Sequence, residues 1–345
     1  MKKYISLALC LALLALLPAM AAGETANKPA VGGVLSLLNI SEDEYRAIEN
    51  AKRALTSYLE NQGIASNASE FGEGSAEIVY YDTLDAMLMA LQAGDVDWIE
   101  LPSATANYLV ARNDNLQTVA IQKGDKLTLD LEQILKRLSN GFAFLMLDAN
   151  ADLRDAFDAA IEEMEADGTM ETLVKTYITD AVDDEEQEAI AFDNHFDETI
   201  TVAVTGALPP MDYVGPDGSF AGFNTAVLSE IGKRIGKNIE LVVTDSIGRT
   251  TALASGTADV VFWTRVSLDH RTRLPGEPDA LHEQHMRELR KRRKSNRGKS
   301  EVDQMLEDIG WSSNREYDKI DMPEGTIVTD PYYVDFICPV MLRQD

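Results

Sequence analysis

The chain has 345 residues, a length that allows two domains with cores of their own. Its formal net charge of −27 favours solubility and argues against a protein that binds nucleic-acid phosphates through its whole surface.

Residues 1–21 have the pattern of a secretory signal peptide. Lys2 and Lys3 form a basic start, residues 5–17 are almost purely apolar, and residues 19–21 (Ala-Met-Ala) offer a small-x-small cleavage site. A membrane anchor is the alternative, but the apolar stretch is short for a span of about 20 residues. The pattern predicts export to an extracytoplasmic location, periplasmic or secreted. Cleavage would remove Cys10 and leave a single cysteine, so we expect no intrachain disulfide.

Residues 31–179 have the alternating pattern of an α/β unit. Strands are predicted at 34–38, 77–81, 97–101 and 142–147, and helices at 41–61, 83–92, 104–111 and 151–166. Ser41 begins its helix as a capping box, with Glu44 at the third helical position. The acidic stretch at 180–198 has little apolar periodicity and is typical of a solvated linker.

Residues 199–345 predict a second α/β unit, with a Pro209-Pro210 pair and a Gly222-Phe223-Asn224 segment between its first strand and first helix. Strands are predicted at 201–204, 239–243 and 260–263, and a helix at 225–235.

A charged insertion at 274–324 interrupts this unit, and it carries a basic run at 287–294. The run is either a solvated excursion, which we favour, or a docking segment for nucleic acid or another anionic surface. His282 and His285 are three apart rather than four, which does not fit the zinc-protease motif. We therefore predict no cofactor, no metal and no nucleic-acid partner.

The segment from Pro209-Pro210 through Asp259, with the later sequence Asp-Pro-Tyr-Tyr at 330–333, resembles the first lobe of the bacterial extracellular solute-binding proteins, family 3, the polar amino-acid type. Residues 81–97 and 144–177 resemble segments of the second lobe of that family. The two lobes therefore occur in permuted order. The resemblance implies a two-lobed, periplasmic-binding-protein-like (type II) α/β fold with mixed sheets and flanking helices.

In such a permuted arrangement, the strand ending near Leu342 should lie beside the start of the strand at Val34, where the ordinary chain would be continuous. Each unit supplies segments of only one ordinary lobe, so we expect the two units to pack as the two lobes of one receptor.

The resemblance also implies a ligand site between the lobes. A solute carboxylate needs a fixed cation, and two arginines compete for that role. Arg271 aligns with the family's arginine without gaps, but Arg265 ends a strand and should point into the crevice, so we favour Arg265. Tyr213 and Trp263 are candidate walls, each with a core position as the alternative. Asn224 belongs to the Gly-Phe segment that lines the cleft in the family.

The other lobe supplies Asn39 and Ser41, at the turn that holds the ligand carboxylate in the family, and Thr83, at a second helix start. Ser41 can also serve only as a helix cap. Glu100 would have to accept the ligand's amine, because Pro102 stands at the family's aspartate position. If Glu100 faces the core, the cleft has no amine acceptor there.

The resemblance predicts a monomeric, non-enzymatic receptor that captures an amino acid or related carboxylate for the membrane permease of an ABC transporter. Two other classes remain open. One is a periplasmic lyase or dehydratase on the same scaffold, with Glu100 as its acid or base. The other is a sensory or partner-binding module with a vestigial cleft.

Overall fold

The computed structural model describes residues 30–46, 77–118, 139–182, 189–266, 287 and 323–343. The predicted signal peptide, Arg271, both histidines of the insertion and all of its basic run except Arg287 lie outside the described residues. Among the described residues, no helix has the length and apolar character needed to cross a membrane.

The strands are β1 (Val31–Leu35), β2 (Glu77–Tyr81), β3 (Trp98–Pro102), β4 (Leu116–Thr118), β5 (Asn140–Leu147), β6 (Thr199–Val204), β7 (Ala207–Leu208), β8 (Asp212–Val214), β9 (Phe220–Ala221), β10 (Asn238–Val243), β11 (Val260–Val266), β12 (Thr326–Val328), β13 (Tyr333–Asp335) and β14 (Ile337–Leu342). The α-helices are α1 (Leu84–Ala93), α2 (Ser103–Arg112), α3 (Ala151–Asp167), α4 (Thr169–Val174), α5 (Phe223–Ile235) and α6 (Gly248–Ala254). Residues 42–46 are also helical.

Five strands form sheet A in the order β2-β1-β3-β14-β4. β1 runs parallel to β2 and β3, and β14 runs antiparallel to β3 and β4. β1 begins three residues before the predicted strand, at a Val-Gly-Gly sequence that disfavours strands. The glycine at 32 is needed there, because a Cβ atom would lie 2.8 Å from the ring of Trp98 on the neighbouring strand.

Sheet B has the order β10-β6-β11-β5-β12, and β13 pairs with β5 beside β12. β6 runs parallel to β10 and β11, whereas β5 runs antiparallel to β11 and β12. β7, β8 and β9 form a small antiparallel sheet next to the Pro209-Pro210 pair, whose peptide bond is cis. The fold is thus α/β with mixed sheets and flanking helices, as the sequence predicts.

Each of the two large sheets contains one strand from the opposite end of the chain. β5 precedes all other strands of sheet B in sequence yet lies inside it, and β14 follows all other strands of sheet A yet lies between β3 and β4. The helices that follow β5 also pack with this half of the fold. Arg234 of α5 hydrogen-bonds to Asp167 at the end of α3 and to Thr169 at the start of α4. Residues 140–174 therefore pack with sheet B, which differs from the predicted division after residue 179.

The position of β14 also bears on the prediction that the strand near Leu342 lies beside the strand at Val34. β14 lies in the same sheet as β1, but β3 separates them, since Glu100 pairs with Val34 on one side and Pro339 on the other. Direct adjacency of the two strands was therefore wrong. The hydrophobic strand β14 instead lies in the interior of sheet A, between β3 and β4, where it is buried on both faces.

The described part of the acidic stretch, residues 189–198, is attached to sheet B rather than solvated throughout. Asn194 exchanges two hydrogen bonds with the backbone of Ile239, and the backbone N–H of Phe196 donates to Asn238. Composition predicted a linker because charged residues dominate it. The amide side chain of Asn194 and the backbone of Phe196 form these contacts.

Candidate functional site

Several side-chain hydrogen bonds join sheet A to sheet B, and four of them are accepted by backbone carbonyls in the segments that follow β1 and β2. Ser246 Oγ donates to the carbonyl of Asp82 at 3.0 Å, and Arg249 Nη2 donates to the carbonyl of Leu37 at 3.3 Å. Arg265 donates through Nε to the carbonyl of Leu38 at 2.7 Å and through Nη2 to that of Asn39 at 2.8 Å. These loops therefore lie in direct contact, and ligand-binding side chains would have to be placed along this junction.

Arg265, the favoured carboxylate partner, lies within β11 and is 3% exposed. Its Nη1 and Nη2 both contact the carboxylate of Glu44, with Nη2–Oε2 at 2.8 Å, and Nη1 also donates to Asn140 Oδ1 at 3.0 Å. With the two backbone carbonyls, these bonds occupy all five guanidinium donors. Arg265 therefore faces the junction, where a carboxylate of the chain itself occupies it.

Asp212, in the first position of β8, is a buried acid that the sequence did not single out. It is 1% exposed, and its Oδ2 accepts from the backbone N–H of Gly206 at 2.6 Å and from Thr205 Oγ1 at 3.1 Å. Its Oδ1 is buried and has no hydrogen-bond partner. Burial raises the pKa of Asp212 to about 7, although these hydrogen bonds and the charge of Arg249 act in the opposite direction.

Arg249, in the first turn of α6, supplies a buried positive charge. It is 7% exposed, and its Nη1 donates to the carbonyl of Phe262 at 2.8 Å in addition to the contact with Leu37. Its Nε has no hydrogen-bond partner. Burial lowers the pKa of Arg249 to about 10, and the nearby carboxyl of Asp212 limits the shift. The guanidinium therefore remains charged at neutral pH.

Tyr332 and Asn224 complete this buried group. The Tyr332 hydroxyl donates to Asn224 Oδ1 at 3.0 Å, and the Nδ2 of Asn224 has no hydrogen-bond partner. Burial raises the pKa of Tyr332 well above its ordinary value, and the charges of Asp212 and Arg249 both act on it. We call Asp212, Asn224, Arg249 and Tyr332 the polar cluster. It contains one buried acceptor atom and two buried donor atoms without partners.

Trp263 occupies the core alternative that the sequence left open. It is 0% exposed and its ring stacks on Phe142 with centroids 3.8 Å apart. Its backbone φ is +55°, a left-handed value rare for a large residue, at an irregularity in the pairing of β11 with β5. The bulge changes which residues of β11 face each side, and Arg265 follows it by two positions.

Glu100, the predicted amine acceptor, is 1% exposed and lies in the interior of sheet A. Its Oε1 accepts from the indole Nε1 of Trp98 at 3.2 Å and from the hydroxyl of Tyr45 at 3.3 Å. These partners lie on the sheet A side of the junction. Asp212 is the buried acid that belongs to the polar cluster, so it is the better placed candidate.

The remaining predicted site residues have local roles in the structure. Ser41 Oγ accepts from the backbone N–H of Glu44, and Thr83 Oγ1 accepts from that of Ala86, so each caps a helix. Asn39 is exposed and has a φ of +48°, and it contributes its carbonyl to Arg265. Tyr213 is half-buried in β8. Arg271 lies outside the described residues.

Sequence reasoning missed Asp212 and Arg249 for different reasons. Asp212 lies between the Pro209-Pro210 pair and the candidate wall residue Tyr213, so its position offered a signal. Arg249 lies in an ordinary helical pattern, and nothing in the sequence indicates that it is buried. Within the described parts of the chain, no group of three or more histidine, cysteine or acidic side chains could hold a metal ion.

Residues 200–273 match the family model of the bacterial extracellular solute-binding proteins, family 3. The match covers the segment whose motifs carried the resemblance, and it confirms the predicted relation there. It includes every residue of the polar cluster except Tyr332, and it includes both candidate arginines. No curated protein sequence matches the chain significantly.

Solved structures similar to the chain include the ligand-binding component of an ABC-type import system from Staphylococcus aureus, with zinc bound. It is 10% identical with a TM-score of 0.37, and the match covers 91% of this chain and 66%, just under two thirds, of that one. The GluR0 ligand-binding core in complex with L-glutamate is 10% identical with a TM-score of 0.33, over 93% and 87% of the two chains. A phosphate-binding protein from Streptococcus pneumoniae is 10% identical with a TM-score of 0.29, over 92% and 90%. Similarity at this level carries no argument about what this chain binds.

Proposed function

Starting from the family match over residues 200–273, we propose that the chain is an extracytoplasmic receptor that captures a small polar solute, an amino acid or related carboxylate, between its two sheets. The observation that supports this most directly is the polar cluster, in which Asp212 Oδ1, Asn224 Nδ2 and Arg249 Nε are all buried without partners. Buried polar atoms are rarely left unpaired, because each costs about 1–3 kcal/mol. A bound solute would supply the missing partners.

The chemistry of the cluster favours a carboxylate. Two of its unpaired atoms are N–H donors, and one of them belongs to a guanidinium that stays charged at neutral pH. Below a pH of about 7, Asp212 is protonated and can donate as well, so three donors would converge on an oxoanion. Above that pH, an ionised Asp212 would instead accept from an ammonium or hydroxyl group of the solute.

This change of role allows the solute classes to be separated experimentally. A simple carboxylate should bind more tightly at pH 6 than at pH 8, whereas a zwitterionic amino acid should bind more tightly at pH 8. Calorimetric titration of the mature chain with matched pairs, such as propionate and alanine, measures both. Thermal unfolding with the same panel provides a second readout, since a solute at 100 times its Kd adds about 2.7 kcal/mol of stability.

Arg249→Met tests the assignment of the cation. Met retains much of the length of arginine without its charge, and the loss of a buried, hydrogen-bonded charge partner typically costs about 2–5 kcal/mol of binding. Arg234→Met is the matched control, because Arg234 forms its ion pairs with Glu163 and Asp167 on the outer helices. A folded wild-type protein that neither binds nor is stabilised by any member of the panel would rule out the proposed function.

The transport role follows from the family and remains part of the proposal. A receptor of this kind would act as a monomer and would deliver its solute to the membrane permease of an ABC transporter by closing its two halves around the ligand. Assay of solute uptake by membrane vesicles containing the permease, with and without the chain, tests this step separately from binding.

An enzymatic alternative is favoured by one observation, the pKa of about 7 for a buried carboxyl. A group with such a pKa can act as a general acid or base near neutral pH. The alternative predicts turnover of a bound solute by the wild type, lost in Asp212→Asn while binding persists. Unchanged solute after prolonged incubation, followed by NMR, would exclude it for that solute.

A further inference from the structure

Arg265 is bound by a side chain of the opposite half of the junction, and this contact has the geometry of ligand recognition. The arginine belongs to β11 of sheet B, whereas Glu44 lies in the helical segment 42–46 that follows β1 of sheet A. Nη1 of the guanidinium contacts Oε1 of the carboxylate and Nη2 contacts Oε2, the paired arrangement by which arginine binds a free carboxylate.

The pair is buried more deeply than an ordinary surface ion pair. The side chain of Arg265 is 2% exposed and that of Glu44 is 19% exposed. A nearby ion pair on the same helical segment, Glu42 with Arg46, is 59% and 56% exposed. Exposed pairs contribute little, but removal of one member of a buried pair leaves an uncompensated charge.

Two backbone carbonyls reinforce the contact, since Leu38 and Asn39 accept from the same guanidinium. Glu44 itself is fixed at the start of its helical segment, where its backbone N–H donates to Ser41 Oγ at 3.2 Å. The carboxylate is therefore presented to Arg265 by a turn that is already held against sheet B.

We infer that Glu44 is a tethered carboxylate that occupies Arg265 and, together with the other contacts of the junction, holds sheets A and B together. A partner attached to the same chain acts at an effective concentration in the millimolar range or above. A solute carboxylate can reach Arg265 only by displacing it, so Glu44 excludes weakly binding carboxylates from this arginine. Exclusion of solutes rests on the proposed function, whereas closure by Glu44 does not.

Chemical rescue tests the inference directly. Glu44→Ala removes the carboxylate and leaves room for a small anion, so acetate should bind at Arg265 in this variant. We expect acetate at tens of millimolar to raise the Tm of Glu44→Ala by about 2–4 °C relative to chloride at equal ionic strength. Wild type and Glu42→Ala, the exposed matched control, should show no such difference between the two salts.

Closure is measured separately by small-angle X-ray scattering without solute. Glu44→Ala should have a larger radius of gyration than wild type and Glu42→Ala, and acetate should reverse the increase. If Glu44→Ala is unfolded without acetate, then recovery of its circular dichroism by acetate but not by chloride is the supporting result. Glu44→Gln keeps the size of the side chain without its charge and should be as expanded as the alanine variant.

The outcomes separate this inference from the proposed function. No acetate-specific effect on the alanine variant, or a radius of gyration that is the same in all variants, would overturn the tethered carboxylate, even if the wild type binds a solute. Rescue by acetate together with no binding of any solute by the wild type would support it and reject the proposed function.

Discussion

Replacement of Asp212 by asparagine should change how stability depends on pH. Asparagine has nearly the same shape and can still accept from Gly206 and Thr205 through its amide oxygen, but it cannot ionise. In the folded wild type the pKa of Asp212 is raised to about 7 from an ordinary value of 3.8. The folded state therefore keeps a proton that the unfolded state has already released.

The sign and size of the pH effect on stability follow from this difference in pKa. A group with a raised carboxyl pKa makes folding less favourable as pH rises from its unfolded to its folded pKa, here from about 4 to about 7. At 1.36 kcal/mol per pKa unit, the full effect is about 4 kcal/mol, and about 2 kcal/mol of it falls between pH 5.5 and pH 7. Asparagine removes the whole effect.

Urea denaturation at pH 5.5, 7 and 8.5 measures this effect as the difference in free energy of unfolding between wild type and Asp212→Asn. The contributions of the many other carboxylates then cancel. The stability of Asp212→Asn relative to wild type should rise by about 2 kcal/mol between pH 5.5 and pH 7, then level off. Asp217→Asn is a control, since hydrogen bonds from Ser219 lower the pKa of that exposed carboxyl. Parallel pH profiles for wild type and Asp212→Asn would refute the assignment of a buried, neutral Asp212.

Three further predictions concern the framework of the site. Gly222→Ala should destabilise the fold by about 2–4 kcal/mol, because the new Cβ would lie 2.7 Å from the carbonyl oxygens of Pro210 and Met211 at a φ of +103°. Gly218→Ala is the control, since Gly218 also has a positive φ but open space around it, and it should cost about 1 kcal/mol. Asp335→Ala should lower the free energy of unfolding by about 2–4 kcal/mol, because this buried side chain accepts from Ser103 Oγ and from the backbone N–H groups of Ala104 and Phe336. Thr83→Ala is the comparison, since it removes one exposed helix cap and should lower it by about 1 kcal/mol. Trp98→Phe should destabilise the fold by about 1–3 kcal/mol, because it removes a donor to the buried Oε1 of Glu100; urea denaturation measures the loss, and a stability equal to that of wild type would contradict the interpretation.

The secondary structure near the site was predictable because its signals are local. Thr83 and Gly94 bracket α1 as its caps, and the apolar runs in 77–81 and 142–147 identified β2 and β5 to within two residues. The sequence predicted that Arg265 ends its strand, whereas in the structure it lies within β11 and reaches the junction from there.

The partners of these elements could not be predicted, because pairing over long sequence distances leaves no local pattern. The sequence marks Glu44 only as the acid of a capping box, and the pairing of its carboxylate with Arg265 depends on how two sheets meet. The burial of Arg249 has the same origin in part, since its Nη2 donates to the carbonyl of Leu37 in the other sheet's half.

The exchange of β5 and β14 has a consequence for how the chain is made. Sheet A lacks the strand between β3 and β4 until residues 337–342 have been synthesised, so its first four strands emerge with two open edges. Pairing across so long a separation is slow, because much loop-closure entropy must be lost before any contact is gained. The nascent chain therefore stays incompletely folded until β14 emerges. The same property makes any chain that stops before Ile337 a candidate for aggregation through the exposed edges of β3 and β4.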